Sequence, residues 1–599
     1  MRSKTKTATI RLKPLLMGTL LLLPLSVPAV TYVDRDSTAG LAADGSSWVN
    51  AFDNLQDALD CVRSGGCDTE IWVAAGEYFP DEGTGHTPDD PTESFYLIEG
   101  TAIFGGFDGV GAGGAGGAQE AQRGDRDITS YKTILSGDIM QDDIDLNGNG
   151  IISNAVNIIG TNSEHVVYVD ATGLGAFSSA TKLNGFYITA GGGGSPGGGG
   201  LICHGSATES CDPTFTNLIF RGNKALIGGG MYNTYSNAVL TNVRFSGNEA
   251  ESIPAFGGAM YNFSSNLTVN GTKCRNNEAD YGGCIYNNSS DVTITGTTFE
   301  SNSAGWHGGA MFNDDSSPSL TDVTFLANSA VVWGGGVFNI NSDPVLLNTG
   351  FNGNSASAGG AIFDEISGGF SGSAQLTNVV FSGNAAIGGS GGAIHSWWNI
   401  GQNLDIQLTN ATFNENSATV AGGAIYVEAN TYTCAGINVD IVNSILWAST
   451  DSIGPNEIHI ESGDVTLSYS DLDGLGVTGV TVGGCGTFND AGNNISVSPE
   501  FVDPHGADAT VGTLDDNLHL RGRLFGSPSP AIDAGDNGSV TAVTDFDGLP
   551  RILDGDGSGT DEVDMGAYEV LVLQIPDIIF PCDLTDPGAP PEPWDPTCF

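Results

Sequence analysis

Positive charge is what this sequence has least of. Lys and Arg together number 19 among 599 residues, against 70 Asp and Glu, giving a formal net charge of −51. Between Arg275 and Arg521 lie 245 residues with neither. So negative a field repels nucleic acid and anionic lipid headgroups and draws cations, which excludes nucleic acid as a partner. Long apolar runs are also missing. Beyond the N-terminus no segment nears the roughly 20 apolar residues that a membrane-crossing helix needs, so no transmembrane span is expected. No Cys-x-x-Cys occurs and the eight histidines are scattered, which removes the usual zinc spacings. There is no Walker loop, and Gly192–Gly200 is flexible low-complexity sequence rather than a phosphate cradle.

What is there begins with an export signal. Arg2, Lys4, Lys6, Arg11 and Lys13 precede an apolar run from Leu15 to Val27 and a small-residue exit at Val27-Pro28-Ala29. That order of segments predicts a signal peptide over 1–29 and a secreted, extracellular or cell-surface protein. Its removal would take the charge from −51 to −56. Ten cysteines follow, an even count that favours disulfides in an exported chain. They fall into near neighbours: Cys61/Cys67, Cys203/Cys211, Cys434/Cys485 and Cys582/Cys598 are expected as local staples. Cys274 and Cys284 are left open, because each replaces a repeat residue that should pack inside.

Internal repetition organises the middle of the chain. One half of the unit reads Phe-x-x-Asn, at Phe220, Phe245, Phe299, Phe325, Phe351, Phe381 and Phe413, with Cys274 filling the remaining slot. Successive positions are 25, 29, 25, 26, 26, 30 and 32 residues apart. The other half is Gly-Gly, a small residue, an aliphatic and an aromatic, as in Gly257-Gly258-Ala259-Met260-Tyr261. Short β-branched runs lie between the motifs, closed by Gly, Asn or Ser. A unit of about 25 residues with two or three short strands is one coil of a solenoid. The fold class is therefore all-β, a right-handed parallel β-helix, with residues 54–63 as a short N-terminal capping helix. Phe would form a stacked core column, Asn a corner ladder tolerant of left-handed backbone, and paired Gly a bend that no Cβ permits.

The paired Phe-x-x-Asn and Gly-Gly-Ala-Ile motifs resemble the repeats of the chlamydial polymorphic outer-membrane proteins across about residues 180–430. That resemblance implies a β-helix and an adhesive role. The chain departs from it in having no C-terminal β-barrel after the repeats, so self-translocation is not expected. Thr31-Tyr-Val-Asp34, Ile71-Trp-Val-Ala-Ala-Gly-Glu-Tyr78, Ser527-Pro-Ser-Pro-Ala-Ile-Asp-Ala-Gly535 and Asp564-Met-Gly-Ala-Tyr-Glu569 are similar to secreted β-helix proteins with a choice-of-anchor Q region. The division expected is a signal peptide at 1–29, a cap and early coils at 30–190, and regular repeats at 191–447. Closing coils at 448–570, choice-of-anchor Q-like, and a Pro-rich tail at 571–599 follow.

The fold also serves polysaccharide-cleaving enzymes. β-Elimination on a uronate needs a base and cations, and the only cationic cluster on the repeats is Arg221, Arg244 and Arg275. Acid pairs such as Asp314-Asp315 and Asp364-Glu365 are what 70 acids would give by chance. His307 and His395 replace repeat residues and read as packing. No catalytic residue is assigned. Calcium is the better chemical signal. Asp145, Asn147 and Asn149 alternate as in an EF-hand-like loop, without its position-12 acid, and Asp554, Asp556 and Ser558 form a second loop. A structural Ca2+ is the expected cofactor. The register of the Gly-Gly half has two readings. One buries the aromatics with the small residues and leaves the aliphatics outside. In the other the aliphatics point inward, and Tyr232, Tyr261, Tyr286 and Tyr426 point outward with their Phe counterparts. In the outward register they form a platform for an extracellular glycan or surface protein. The expected function is a monomeric, non-catalytic adhesion or glycan/protein-binding role, with a polysaccharide lyase or glycoside hydrolase as the alternative.

Overall fold

The computed structural model describes residues 30–571 except 41–42, 111–119, 174, 369, 399–402, 430–435 and 524–526. The signal segment, Cys434, Cys582, Cys598 and all but the first residue of the Pro-rich tail lie outside the described residues.

The repeat read in the sequence is one turn of a right-handed parallel β-helix. In one coil, Thr214–Thr216 and Ile219–Arg221 lie in a first sheet, Lys224–Ala225 in a second and Met231–Thr234 in a third. Stacked coils give long sheets of 25, 10 and 13 strands in that order, parallel except for one end pair in the second. Repeat positions coincide in register: Phe220 lies over Phe245, Phe245 over Cys274, and Met231 over Met260. Adjacent rings of the Phe column stack, as between Phe325 and Phe351 at 4.7 Å, and one continuous core runs from Val33 to Leu472.

Two kinds of Asn divide the corner work. Eight buried ones, Asn223, Asn248, Asn277, Asn302, Asn328, Asn354, Asn384 and Asn416, form a ladder in which each Nδ2 donates to the next Oδ1 at 2.9–3.0 Å. Contrary to expectation these are not left-handed. The residue before each carries the positive φ, as Gly247 does at 64° and Asn276 at 53°. A second set of asparagines, three places before the column Phe at the bend inside the first sheet, is left-handed: Asn217 (52°), Asn242 (53°) and Asn348 (50°). At the Gly-Gly corner the first glycine needs positive φ (63° at Gly257). The second needs space, because a Cβ on Gly258 would strike the Gly283 carbonyl of the next coil.

The expected cap is an α-helix, Leu55–Arg63, with the Asn54 side chain accepting from the Asp57 N–H. Leu55, Ala58, Leu59 and Val62 join the core, so the helix covers the open end of the first coil. Within the closing segment Arg551 is buried against Glu569 at 3.3 Å and donates to the Asp564 carbonyl. The Gly566 N–H donates to the Asn443 carbonyl and the Ala567 N–H to Thr412 Oγ1, holding the braced segment against the first sheet.

Disulfides join Cys61–Cys67 and Cys203–Cys211 as expected, and also the open pair Cys274–Cys284. Cys485 is disulfide-bonded, but Cys434, the partner expected for it, lies outside the described residues, so the Cys434–Cys485 staple is not among the three bonds described. The Cys582–Cys598 pair falls outside them entirely.

Candidate functional site

The Gly-Gly half builds a flank on the outer face of the 13-stranded sheet. Met260, Ile285, Met311 and Ile362 belong to the main core, so the next residue of each strand must face outward. Tyr232, Tyr261, Tyr286, Phe312, Phe338, Phe363, His395, Tyr426 and His459 therefore form an external ladder, with neighbouring ring centroids 4.5–5.4 Å apart. The outward register is the one the platform requires.

This ladder is not bare, however. Tyr232, Tyr261 and Tyr426 are half-buried, and Tyr286 is only 6% exposed, its hydroxyl donating to Asp314 at 3.0 Å. A second aromatic row covers the ladder. Phe256 stacks on Tyr281 (5.2 Å), Tyr281 meets His307 (5.4 Å), His307 stacks on Trp333 (4.7 Å), and Trp333 packs on Phe363 and Trp397. Trp306 lies against Tyr281 at the rim, 49% exposed. The strand alternation could not announce this row, but its signal was in the sequence. Phe256, Tyr281, His307 and Trp333 each stand immediately before a Gly-Gly pair. His307 and His395 sit within the stacks, as packing residues should, and burial pushes both imidazoles down to about 4.

Farther along the same flank the second outward position becomes acidic. Glu365, Trp397, Glu428 and Glu461 occupy it on successive coils. Glu428 lies 3.9 Å from His395, and Glu461 lies 3.4 Å from His459. Burial pushes Glu365 up to about 7.

The two acidic loops differ. Asp145 accepts from the backbone of Asn147, Asn149 and Gly150, and Asn149 accepts from Ile151, so these side chains fold their own turn. The carboxylates that converge nearby are Asp138, Asp142 and Asp143. In the second loop Asp554 accepts from Ser558 and Gly559, while Asp554 and Asp556 converge with Asp533, all within 4.8 Å. Burial, then its neighbour Asp556, pushes Asp533 up to about 6. Asp533 was not foreseen, because it lies outside the loop whose alternation was legible.

No protein-family profile and no curated protein matches the chain. Among solved structures it is similar to the crystal structure of pectate lyase Pel9A, at 11% identity over 90% of this chain and 96% of that one, with a TM-score of 0.30. The β-helix rests on the strand pairing above. Among the described residues no helix is long and apolar enough to cross a membrane, which leaves membrane-spanning strands untouched.

Proposed function

We propose that this is an exported, extracellular or cell-surface β-helix that binds a glycan or a partner protein through its aromatic flank, as a monomer and without catalysis. One observation carries the reading: the two-layer aromatic ladder presents Trp306, half-exposed, at its rim. Rings held by stacking from coil to coil lose little entropy on binding and offer flat apolar faces to a sugar or an apolar side chain. Tyr232 and Tyr426 extend the platform beyond the covered centre, and Tyr261 and Tyr286 support it from beneath. The resemblance to polymorphic outer-membrane protein repeats and to choice-of-anchor Q proteins supports an adhesive setting. The signal-peptide reading of 1–29 and the disulfides fit an oxidising exterior.

The alternative, a polysaccharide-cleaving enzyme, is favoured by one feature, the Glu365, Glu428 and Glu461 series beside His395 and His459. A structural Ca2+ is proposed at Asp533, Asp554 and Asp556, and at the loop of Asp145, Asn147 and Asn149 beside Asp138, Asp142 and Asp143. The flank is tested on an array of glycans and extracellular-matrix proteins with Trp306→Ser. A ligand held by the wild type and lost by a variant with an unchanged melting curve supports the reading. A ligand bound equally by both removes the flank from it.

A further inference from the structure

The first sheet carries a different surface. Phe220, Phe245 and Cys274 are fully buried, so the residues flanking them point outward. Arg244 lies directly beside Lys273 in the neighbouring coil, while Arg221 and Arg275 stand on either side of Ser246. These four cations, with Tyr187 and Leu514, line a groove of about 540 Å³, within the roughly 300–1,000 Å³ range of ligand sites.

Three features of this groove call for an anion. Arg244 and Lys273 are like charges in cross-strand register, an arrangement that is unfavourable by itself. In a chain with 70 acids, the pairing within the groove amounts to Arg275 Nε near Glu300 at 3.5 Å. Arg221, Arg244 and Lys273 form no ion pair among the described residues. The Arg221 Nε is buried with no hydrogen-bond acceptor, and a ligand oxygen would supply one.

We propose that this groove binds an acidic oligosaccharide, a run of sugar rings bearing carboxylate or sulfate groups. The cations are spread over three coils, two strand spacings or about 9.6 Å of helix axis, which suits several anionic groups in a row better than one small anion. Tyr187, with Lys132 above its ring at 5.7 Å, and Leu326 and Leu514 give apolar surface beside the charges. Duplex nucleic acid, with a charge every 1.7 Å or so, would run beyond the groove onto acidic surface. This site is separate from the aromatic flank, so either reading can fail alone.

The test is calorimetric titration of the full chain at low salt with three six-sugar probes: a de-esterified galacturonan, a heparan-type sulfated oligomer and a neutral cello-oligosaccharide. Binding of an acidic probe but not the neutral one is expected, weakening as salt is added. Arg244→Gln/Lys273→Gln should lower that affinity by about tenfold or more, with Trp306→Ser unaffected. The galacturonan arm identifies carboxylate as the recognised group, and the sulfated arm identifies sulfate. Failure of both acidic probes to bind wild-type protein overturns the proposal, as does equal affinity in a folded double variant.

Discussion

Asn339 donates from Nδ2 to Oδ1 of the buried Asp364 at 2.7 Å. Asp364 thereby ends an inward ladder of Asn233, Asn262, Asn287, Asn313 and Asn339, each donating to the next at 2.7–2.8 Å. Its register neighbour on the following coil, Ser396, has a buried hydroxyl with no hydrogen-bond partner. Burial pushes Asp364 up to about 6 from 3.8. The folded state thus holds the proton more tightly than the unfolded chain. Stability should fall as pH rises from 3.8 to about 6, and stay lower above. Asp364→Asn continues the ladder and can donate to Ser396. It should flatten that dependence and add up to about 3 kcal/mol at neutral pH. Urea midpoints at pH 4 and pH 8 check this, and a variant weaker than wild type at pH 8 contradicts it.

Cys274 and Cys284 replace a column Phe and a small corner residue together, and they are bonded to each other inside the core. Cys274→Ala breaks the staple and leaves a gap between Phe245 and Phe299. Losing so short a loop closure costs about 3 kcal/mol in the chain-entropy account, and the cavity adds to it. Cys274→Phe/Cys284→Ala restores the repeat and should regain a substantial part of the loss. Chemical denaturation of the three proteins measures the order, and a double variant no better than Cys274→Ala refutes it.

Arg551 is buried with Glu569 as its 3.3 Å partner. Arg551→Met strands a buried carboxylate, for which about 3–5 kcal/mol is the usual cost. The loss should appear first as faster proteolysis of the closing segment after residue 530. Unchanged protease resistance would show that this pair does not brace the closing segment.

Calcium is expected to raise the melting temperature by binding the folded state alone. The gain is about 2.7 kcal/mol at a hundredfold excess over Kd. Asp533→Asn should remove more of that gain than Asp145→Ala, because Asp145 is occupied by its own turn. Thermal melts with calcium and with chelator decide it, and a wild-type midpoint that does not move takes calcium out of the account.

Much of the fold was legible because each coil repeats the same physical demands. The Phe column, the Gly-Gly corner and the capping helix follow from period and composition. The left-handed role of Asn was legible as a type but assigned to the wrong set, since Asn223 and Asn217 differ only in which neighbours they meet. The face taken by Tyr261 could not be read from alternation, which fixes that neighbours oppose but not which one is inside. Asn262, the residue after it, faces inward with Met260, and its ladder fixes the register. Trp306 and Trp333 escaped because they stand at the corner before the Gly-Gly pair, Trp306 in the strand Ser303–His307 where the pairing shifts register and Trp333 in an isolated bridge, so period-two reasoning does not reach them. Lys273 joins Arg244 and Asp533 joins Asp556 only through coil stacking or chain closure.

The central claim, binding without turnover, is tested most directly on one sample. A ligand found on the array is incubated with the full chain while bound fraction, reducing ends and unsaturated-uronate absorbance are followed together. Saturable binding with no product over hours is the expected result. Reproducible product formation, lost in Glu428→Gln, would contradict it and make the acidic end of the flank an active site.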